Sequence, residues 1–156
     1  MEFSDVIKNR YSCKKFSSEQ IGKDKLDAIL EAGRVAPTAK NLQEQHIYVV
    51  QSESALETID KLTPCRYNAP TVLIVAYNKN NVFTYLGDKR NSGIEDATIV
   101  ATHLMLAAYN EGVDSCWINF FNPDELAKAF NLPEDEEILM LLDLGVADKT
   151  TTPLPN

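Results

Sequence analysis

Two apolar stretches restrict the fold of this chain more than any other feature. TVLIVAY (71–77) is a short run of β-branched and aromatic residues that follows a proline, and EILMLLDLGV (137–146) is nearly as apolar. Runs of this length without polar alternation predict strands that are buried on both faces. HIYVVQ (46–51) and SCWINF (115–120) predict two further strands, so we expect a layered sheet with helices packed on it.

Five other segments have the apolar spacing of helices. They are FSDVIKNR (3–10), KDKLDAILEAGRVA (23–36), SALETIDKL (54–62), GIEDATIVATHLMLAAYNEG (93–112) and DELAKAF (124–130). The first segment places Phe3, Val6 and Ile7 on one face, which predicts an amphipathic helix. The fourth is small and apolar nearly all round, so we expect a central helix that is buried in the core.

Two of these helices have residues at their ends that are typical of caps. Gly112 follows the long fourth segment, where a C-terminal cap favours glycine. Asn122 and Pro123 precede DELAKAF, and they suit the N-cap and the first helical position.

Length and charge exclude several classes of protein. The 156 residues, of which 44% are hydrophobic, suffice for one substantial core, so we expect a single domain over 1–156. No stretch reaches the roughly 18 apolar residues of a membrane span, and MEFSDVIKNR does not resemble a signal peptide. A soluble, cytoplasmic protein is expected. The net charge of -8, without a long basic stripe, argues against nucleic-acid binding.

The cysteines and histidines form neither a disulfide framework nor a zinc site. Cys13, Cys65 and Cys116 are separated along the chain, as are His46 and His103. We expect reduced thiols with a structural role, no metal, and in His103 a hydrogen-bonded residue of the core.

Several common motifs are missing from the sequence. The six glycines form neither GxGxxG nor GxxxxGK, and no GxSxG or HExxH occurs. A phosphate would therefore have to be held by side chains. The acidic run PEDEE (133–137) is interpreted as a solvated loop without a chemical role.

RYSCKKF (10–16) concentrates Arg10, Lys14 and Lys15 in an acidic chain. Arg10 ends a predicted helix and Ser12 follows it, so a guanidinium and a hydroxyl could bind one phosphate. Each charge-assisted bond contributes about 1.5 to 3 kcal/mol. The alternative is that these cations only complement the helix dipole.

APTAKNLQ (36–43) is a second polar segment, between a predicted helix and a predicted strand. Thr38, Asn41 and Gln43 supply hydroxyl and amide groups, which can recognise the edge of a heterocycle. The alternative is a turn whose side chains bond only to their own backbone.

Five motifs in the same order and with similar spacing resemble those of the FMN-dependent nitroreductase family. Here they read RYSCKKF (10–16), APTAKNLQEQ (36–45), APTVLIVAY (69–77), GIEDATIVATHLMLAAYNEGVDSCWINFF (93–121) and LLDLGVAD (141–148). Family members look similar to RRSxRxF, APSxxNxQPW, AP before a buried strand, a long helix ending ElGlgscWi, and a strand ending lGyp. The resemblance covers nearly the whole chain.

The resemblance implies an α+β fold, a three-layer α-β-α sandwich with a mostly antiparallel central sheet. It also implies an intertwined homodimer with two FMN molecules at the subunit interface, and neither a catalytic side chain nor a metal. The positions that contact the phosphate, the ribityl chain or the pyrimidine edge are matched by Arg10, Tyr11, Ser12 and Lys14. The loop lent by the partner subunit is matched by Pro37, Thr38, Asn41 and Gln43. The strand end that faces flavin N5 is matched by Trp117, Ile118, Asn119 and Phe120.

The chemistry that the resemblance implies belongs to the flavin. NADH or NADPH would stack on the exposed flavin, deliver hydride to N5 and leave before a nitroaromatic, quinone or related electrophile enters, which predicts ping-pong kinetics. A cation such as Arg10 or Lys14 beside the N1 and C2 edge would raise the reduction potential of the flavin. Two alternatives stay open: a protein on the same scaffold that handles or binds flavin without NAD(P)H turnover, and a flavin-free interaction dimer.

Three departures from the family pattern affect the predicted pocket. Glu44 and Gln45 replace the usual Pro-Trp and add a negative charge beside the loop. Tyr11 and Lys14 replace arginines, which weakens bidentate phosphate recognition. Family members continue past the last strand with a further cation, whereas this sequence stops at Asn156; either that tail is missing or the cofactor is held less firmly.

Overall fold

The computed structural model describes residues 1–87 and 89–154. Within these residues the helices are α1 (Phe3–Asn9), α2 (Lys23–Arg34), α3 (Glu53–Leu62), α4 (Gly93–Asn110) and α5 (Pro123–Ala129). The strands are β1 (Gln45–Val50), β2 (Thr71–Asn78), β3 (Asp114–Ile118) and β4 (Glu136–Gly145). Each element overlaps the segment predicted for it. None of the described helices has both the length and the apolar composition that crossing a membrane requires.

The strands form one sheet in the order β1-β2-β4-β3, and every neighbouring pair is antiparallel. The two apolar runs, β2 and β4, are the inner strands. Residues 71–77 of β2 are all buried, which confirms the prediction of a strand covered on both faces.

Successive side chains of β2 point to opposite faces of the sheet, so its apolar residues need covering on both sides. Helices cover both faces. The cluster on the side of α2 and α4 includes Ile29, Leu73, Val75, Val100 and Leu104. The cluster on the side of α3 and α5 includes Ile59, Val72, Ile74 and Leu126. These two clusters give the three layers of the predicted α+β sandwich.

The predicted caps are present. The side chain of Asn122 accepts hydrogen bonds from the backbone N–H groups of Asp124 and Glu125, at 3.0 and 3.2 Å, and Pro123 is the first residue of α5. Gly112 has a φ of 71° just after α4, the left-handed conformation that ends many helices.

Two helices are less buried than their sequences predicted. In α1 Val6 is buried, whereas Phe3 and Ile7 are 66% and 50% exposed. In α4 one face is buried, but Ile94 is 63% exposed and His103 is half-buried, so the predictions of an all-round buried helix and a core histidine were wrong for a single chain. These helices therefore leave apolar side chains exposed on the single chain.

The interpretation of PEDEE as a solvated loop holds for Pro133 and Glu134, which are exposed, but was wrong for Glu136 and Glu137, which begin β4. Glu136 is buried at the start of β4, where its carboxylate accepts a hydrogen bond from the Tyr48 hydroxyl at 2.8 Å and pairs with His46. The neighbouring Asp135 accepts a bond from the side chain of Asn78 at 3.0 Å. The strand extends into the acidic run, and the sheet supplies partners for its carboxylates.

Candidate functional site

The segment that follows α1 is fixed to the edge of the sheet. Ser12 forms a parallel bridge with Ser115 of β3, and the N–H of Cys13 donates to the Ser115 carbonyl at 2.9 Å. Further along, the N–H of Phe16 donates to the carbonyl of Tyr67 at 3.0 Å. These bonds hold the basic segment alongside β3 and against Tyr67.

A cavity of about 300 Å³ opens where this segment meets the end of β3. It is lined by Ser12, Lys14, Cys65, Tyr67, Cys116, Trp117, Ile118, Asn119 and Phe120. Two predicted groups of site residues, one from the basic segment and one from the strand end, therefore come together in a single chain.

The three cations of RYSCKKF have different surroundings. Lys14 lines the cavity, whereas Lys15 donates to the Thr150 hydroxyl at 2.7 Å and lies 3.5 Å from Asp148. Arg10 is half-buried at the end of α1, where its N–H donates to the Val6 carbonyl. Within the described residues, Arg10 does not line this cavity.

Tyr11 is half-buried beside the cavity and does not line it within the part of the chain that the structure describes. Burial, together with the neighbouring Asp114 carboxylate, raises the pKa of the Tyr11 hydroxyl above its usual value. The hydroxyl is therefore a hydrogen-bond donor at neutral pH.

The strand end presents a mixed surface. The Trp117 indole packs against the cluster on the side of α2 and α4, and its Nε1 donates to Asn119 Oδ1 at 3.0 Å. Ile118 is buried and ends β3, so the observed strand stops two residues before the end of the predicted strand SCWINF. The Phe120 ring is 73% exposed, and its carbonyl accepts a bond from the Thr63 hydroxyl at 2.6 Å.

Two thiols near this cavity, Cys13 and Cys116, are buried and have raised pKa values. Burial first, and then the Asp143 carboxyl, raise the pKa of Cys116 to about 12. Burial also raises the pKa of Cys13, and Cys13, Cys65 and Cys116 are all free. These features support the prediction that Cys116 has a packing role. Among the described residues, no group of histidines, cysteines and carboxylates could hold a metal ion.

The polar loop 37–43 lies elsewhere. Lys40, Asn41 and Gln43 each have a φ of 53°, and the loop includes a short 3-10 turn, Ala39–Asn41. The N–H of Gln43 donates to the Thr38 hydroxyl at 3.0 Å. Among the described residues, none of this loop lines the cavity, so one chain does not bring Pro37, Thr38, Asn41 and Gln43 to the other predicted residues.

The sequence matches a family model over residues 7–65 and 63–146, and the model describes the nitroreductase family. The chain belongs to the nitroreductase family.

Relatives of this nitroreductase-family chain agree in fold over almost their whole length. A nitroreductase family protein of Clostridium difficile 630 superposes with a TM-score of 0.93 at 32% identity, over 99% of this chain and 88% of that one. A structure named an FMN-dependent nitroreductase, from Clostridium difficile R20291, superposes with a TM-score of 0.80 at 25% identity, over 98% and 92%. "Putative NAD(P)H nitroreductase YodC" of Bacillus subtilis is 28% identical, over 93% of this chain and 89% of that protein.

Two carboxylic residues of this nitroreductase-family chain were not predicted as functional. Asp96, in the first turn of α4, accepts a hydrogen bond at Oδ1 from the N–H of Ala39 at 2.9 Å. Glu44, just before β1, was predicted only as a negative charge beside the loop, and it is 2% exposed. One signal was available: Asp96 and Glu95 are the charged residues of an otherwise uncharged helix.

Proposed function

We propose that this protein is an FMN-dependent oxidoreductase that takes hydride from NADH or NADPH and reduces nitroaromatics, quinones or related electrophiles. The proposal rests on the cavity in which Ser12 and Lys14 meet the end of β3. Membership of the nitroreductase family, whose relatives include proteins named for NAD(P)H and for FMN, supports it.

The cavity has groups suited to an anionic, aromatic cofactor. Lys14 supplies a fixed positive charge and Ser12 a hydroxyl, which is the donor set that a phosphate or an electron-rich flavin edge needs. FMN, when bound, would supply the centre that accepts and donates hydride. The chain would bind and orient it through Lys14, Ser12 and the backbone of 117–120, and no side chain is assigned a proton transfer.

A homodimer is part of the proposal, because the loop 37–43 and the cavity are separate in one chain. A second copy could bring its loop to the first copy's cavity and so complete the predicted set of FMN contacts. The exposed apolar side chains of Phe3, Ile7 and Ile94 supply surface for such an interface.

The test begins with colour. Purified protein is expected to be yellow and to release FMN on denaturation; colourless protein that does not take up added FMN would overturn the proposal. Anaerobic NADH or NADPH should then bleach the bound flavin, and a nitroaromatic or quinone should restore the colour with ping-pong kinetics. Yellow protein that neither nucleotide bleaches would instead favour the flavin-binding alternative.

A further inference from the structure

Glu44 and Asp96 form a buried pair of carboxyl groups behind the loop 37–43. Glu44 is 2% and Asp96 is 3% exposed, and Asp96 is close enough to Glu44 to raise its pKa. Among the described residues, no donor reaches either carboxylate oxygen of Glu44 or Oδ2 of Asp96. Three buried acceptors without a donor are costly, and two ionised carboxylates in contact also repel each other.

A single proton between the two groups removes the repulsion and gives Asp96 Oδ2 a donor, which leaves only one oxygen of Glu44 without a partner. Protonated Glu44 would donate to Asp96 Oδ2 and leave Asp96 ionised, so that Oδ1 remains a strong acceptor for the Ala39 N–H. Burial first, and then Asp96, raise the pKa of Glu44 to about 7. The pair is therefore balanced between the singly protonated and the fully ionised form near neutral pH.

The other charged and titratable groups around the start of α4 have partners elsewhere. Glu95 accepts a hydrogen bond from the Tyr85 hydroxyl at 2.9 Å, and the Tyr77 hydroxyl donates to Glu137 at 2.6 Å. Lys40 of the loop places Nζ 5.2 Å from the centre of the Phe83 ring. On the β2 side, the backbone N–H of Asn78 donates to the Glu44 carbonyl at 2.9 Å.

The loop needs an anchor of this kind. Three of its residues, Lys40, Asn41 and Gln43, have a positive φ that costs non-glycine residues roughly 1 kcal/mol or more each. Asp96 of α4 accepts the bond from the loop residue Ala39, and Glu44 is the residue that follows the loop. If Glu44 lost its proton, the two negative charges would repel each other and so weaken the hold of Asp96 on the loop.

We infer that Glu44 and Asp96 are positioning residues: the proton they share fixes the loop 37–43 in the conformation that receives the cofactor, and cofactor affinity falls when that proton is lost. The inference rests on the proposed function in one respect, the contact between this loop and FMN. The anchoring of the loop itself stands on the contacts of Asp96 and Glu44.

The first experiment measures anchoring without cofactor. Backbone amide exchange of residues 39–43 in the apoprotein, corrected for the intrinsic rate, is compared between about pH 6 and about pH 8.5. Protection should fall about tenfold in the wild type and stay constant in Glu44→Gln, whose amide keeps a donor for Asp96 at every pH. Equal protection at both pH values in the wild type would overturn the inference.

The second experiment measures FMN affinity by fluorescence titration over the same pH range. The wild type should bind FMN about tenfold more weakly at about pH 8.5 than Glu44→Gln does, and equally well at about pH 6. Because the FMN phosphate also titrates near pH 6, the two proteins are compared at each pH. Glu95→Gln, next to Asp96 but on the surface, is the matched control and should follow the wild type.

The two readouts separate the two proposals. If protection changes with pH but FMN affinity does not, the anchoring of the loop by Glu44 and Asp96 stands. The role of the loop in cofactor binding is then refuted. Should Glu44→Gln fold poorly, Asp96→Asn gives a second test: its amide is a donor for ionised Glu44, so the pH dependence should be weaker than in the wild type.

Discussion

Asp143 lies directly opposite Cys116 in the pairing of β4 with β3, and its side chain is completely buried. Neither of its carboxylate oxygens has a hydrogen-bond partner among the described residues. Burial raises the pKa of Asp143 to about 9, although Arg66 opposes the change. The folded protein therefore holds this carboxyl neutral at pH 7, whereas the unfolded chain ionises it near pH 4.

Asp143→Asn should remove a pH dependence of stability. Because the folded state binds the proton more tightly, the contribution of Asp143 is fully present below the pKa of the unfolded chain and is lost as the pH rises towards 9. The expected slope is about 1.4 kcal/mol of unfolding free energy per pH unit between the two pKa values. Urea unfolding at about pH 5 and about pH 8 measures it.

Asp24→Asn is the control for this prediction, because Asp24 is exposed on α2 and should leave the slope unchanged. Glu44 contributes with the same sign up to its pKa of about 7, so the comparison is between variants at each pH. An Asp143→Asn protein with the wild-type slope would contradict a neutral buried carboxyl.

Lys14→Ala should weaken FMN binding, because it removes the cation that lines the cavity. A charge-assisted hydrogen bond contributes about 1.5 to 3 kcal/mol, which corresponds to a loss of roughly 10- to 100-fold in affinity. Lys15→Ala is the matched control, since Lys15 bonds to Thr150 instead. Fluorescence titration of the apoproteins measures both affinities, and equal losses would argue against this cavity as the phosphate or flavin site.

Gly33→Ala should destabilise the contact between α2 and α4. A Cβ at Gly33 would lie 2.7 Å from Leu104 Cδ2, so the two helices would have to separate or Leu104 would have to leave its rotamer. Overpacking of this kind costs about 1 to 3 kcal/mol. Gly22→Ala is the control, because nothing lies within 4 Å of a Cβ there. Thermal unfolding of the two variants should rank Gly33→Ala clearly lower.

Phe3→Asp should convert a homodimer into a monomer if α1 lies in the interface. Phe3 is 66% exposed beside Leu106 of α4, and burying a charge among such residues is unfavourable. Leu86→Asp, at a position that is 97% exposed in a loop, is the control and should remain dimeric. Analytical ultracentrifugation measures both. A Phe3→Asp dimer with wild-type affinity would exclude α1 from the interface.

Much of the fold follows from local sequence. The inner strand β2 was predictable because its residues are apolar on both faces, and α5 because Asn122 and Pro123 mark its start. The burial of Glu136 was not predictable, because its partners Tyr48 and His46 belong to β1, which is remote in sequence and is not even its neighbour in the sheet.

The candidate site was predictable in part. The family resemblance assigned Ser12, Lys14 and residues 117–120 to one site, but the pairing of Ser12 with Ser115 that brings them together was not predicted. The Glu44 and Asp96 pair could not be predicted, since a charged residue before a strand is normally solvated and only the packing of α4 on the loop buries it.

The core position of the thiols gives this chain a built-in reporter. Cys13 and Cys116 are buried in the same cluster, and Cys65 packs against it. Cys65 and Cys116 also line the cavity, so a bound ligand would affect their labelling. Cys13 is completely buried, and a maleimide dye can reach its sulfur only when that side of the sheet opens. In a protein with Cys65 and Cys116 replaced by alanine, the labelling rate of Cys13 therefore measures that opening.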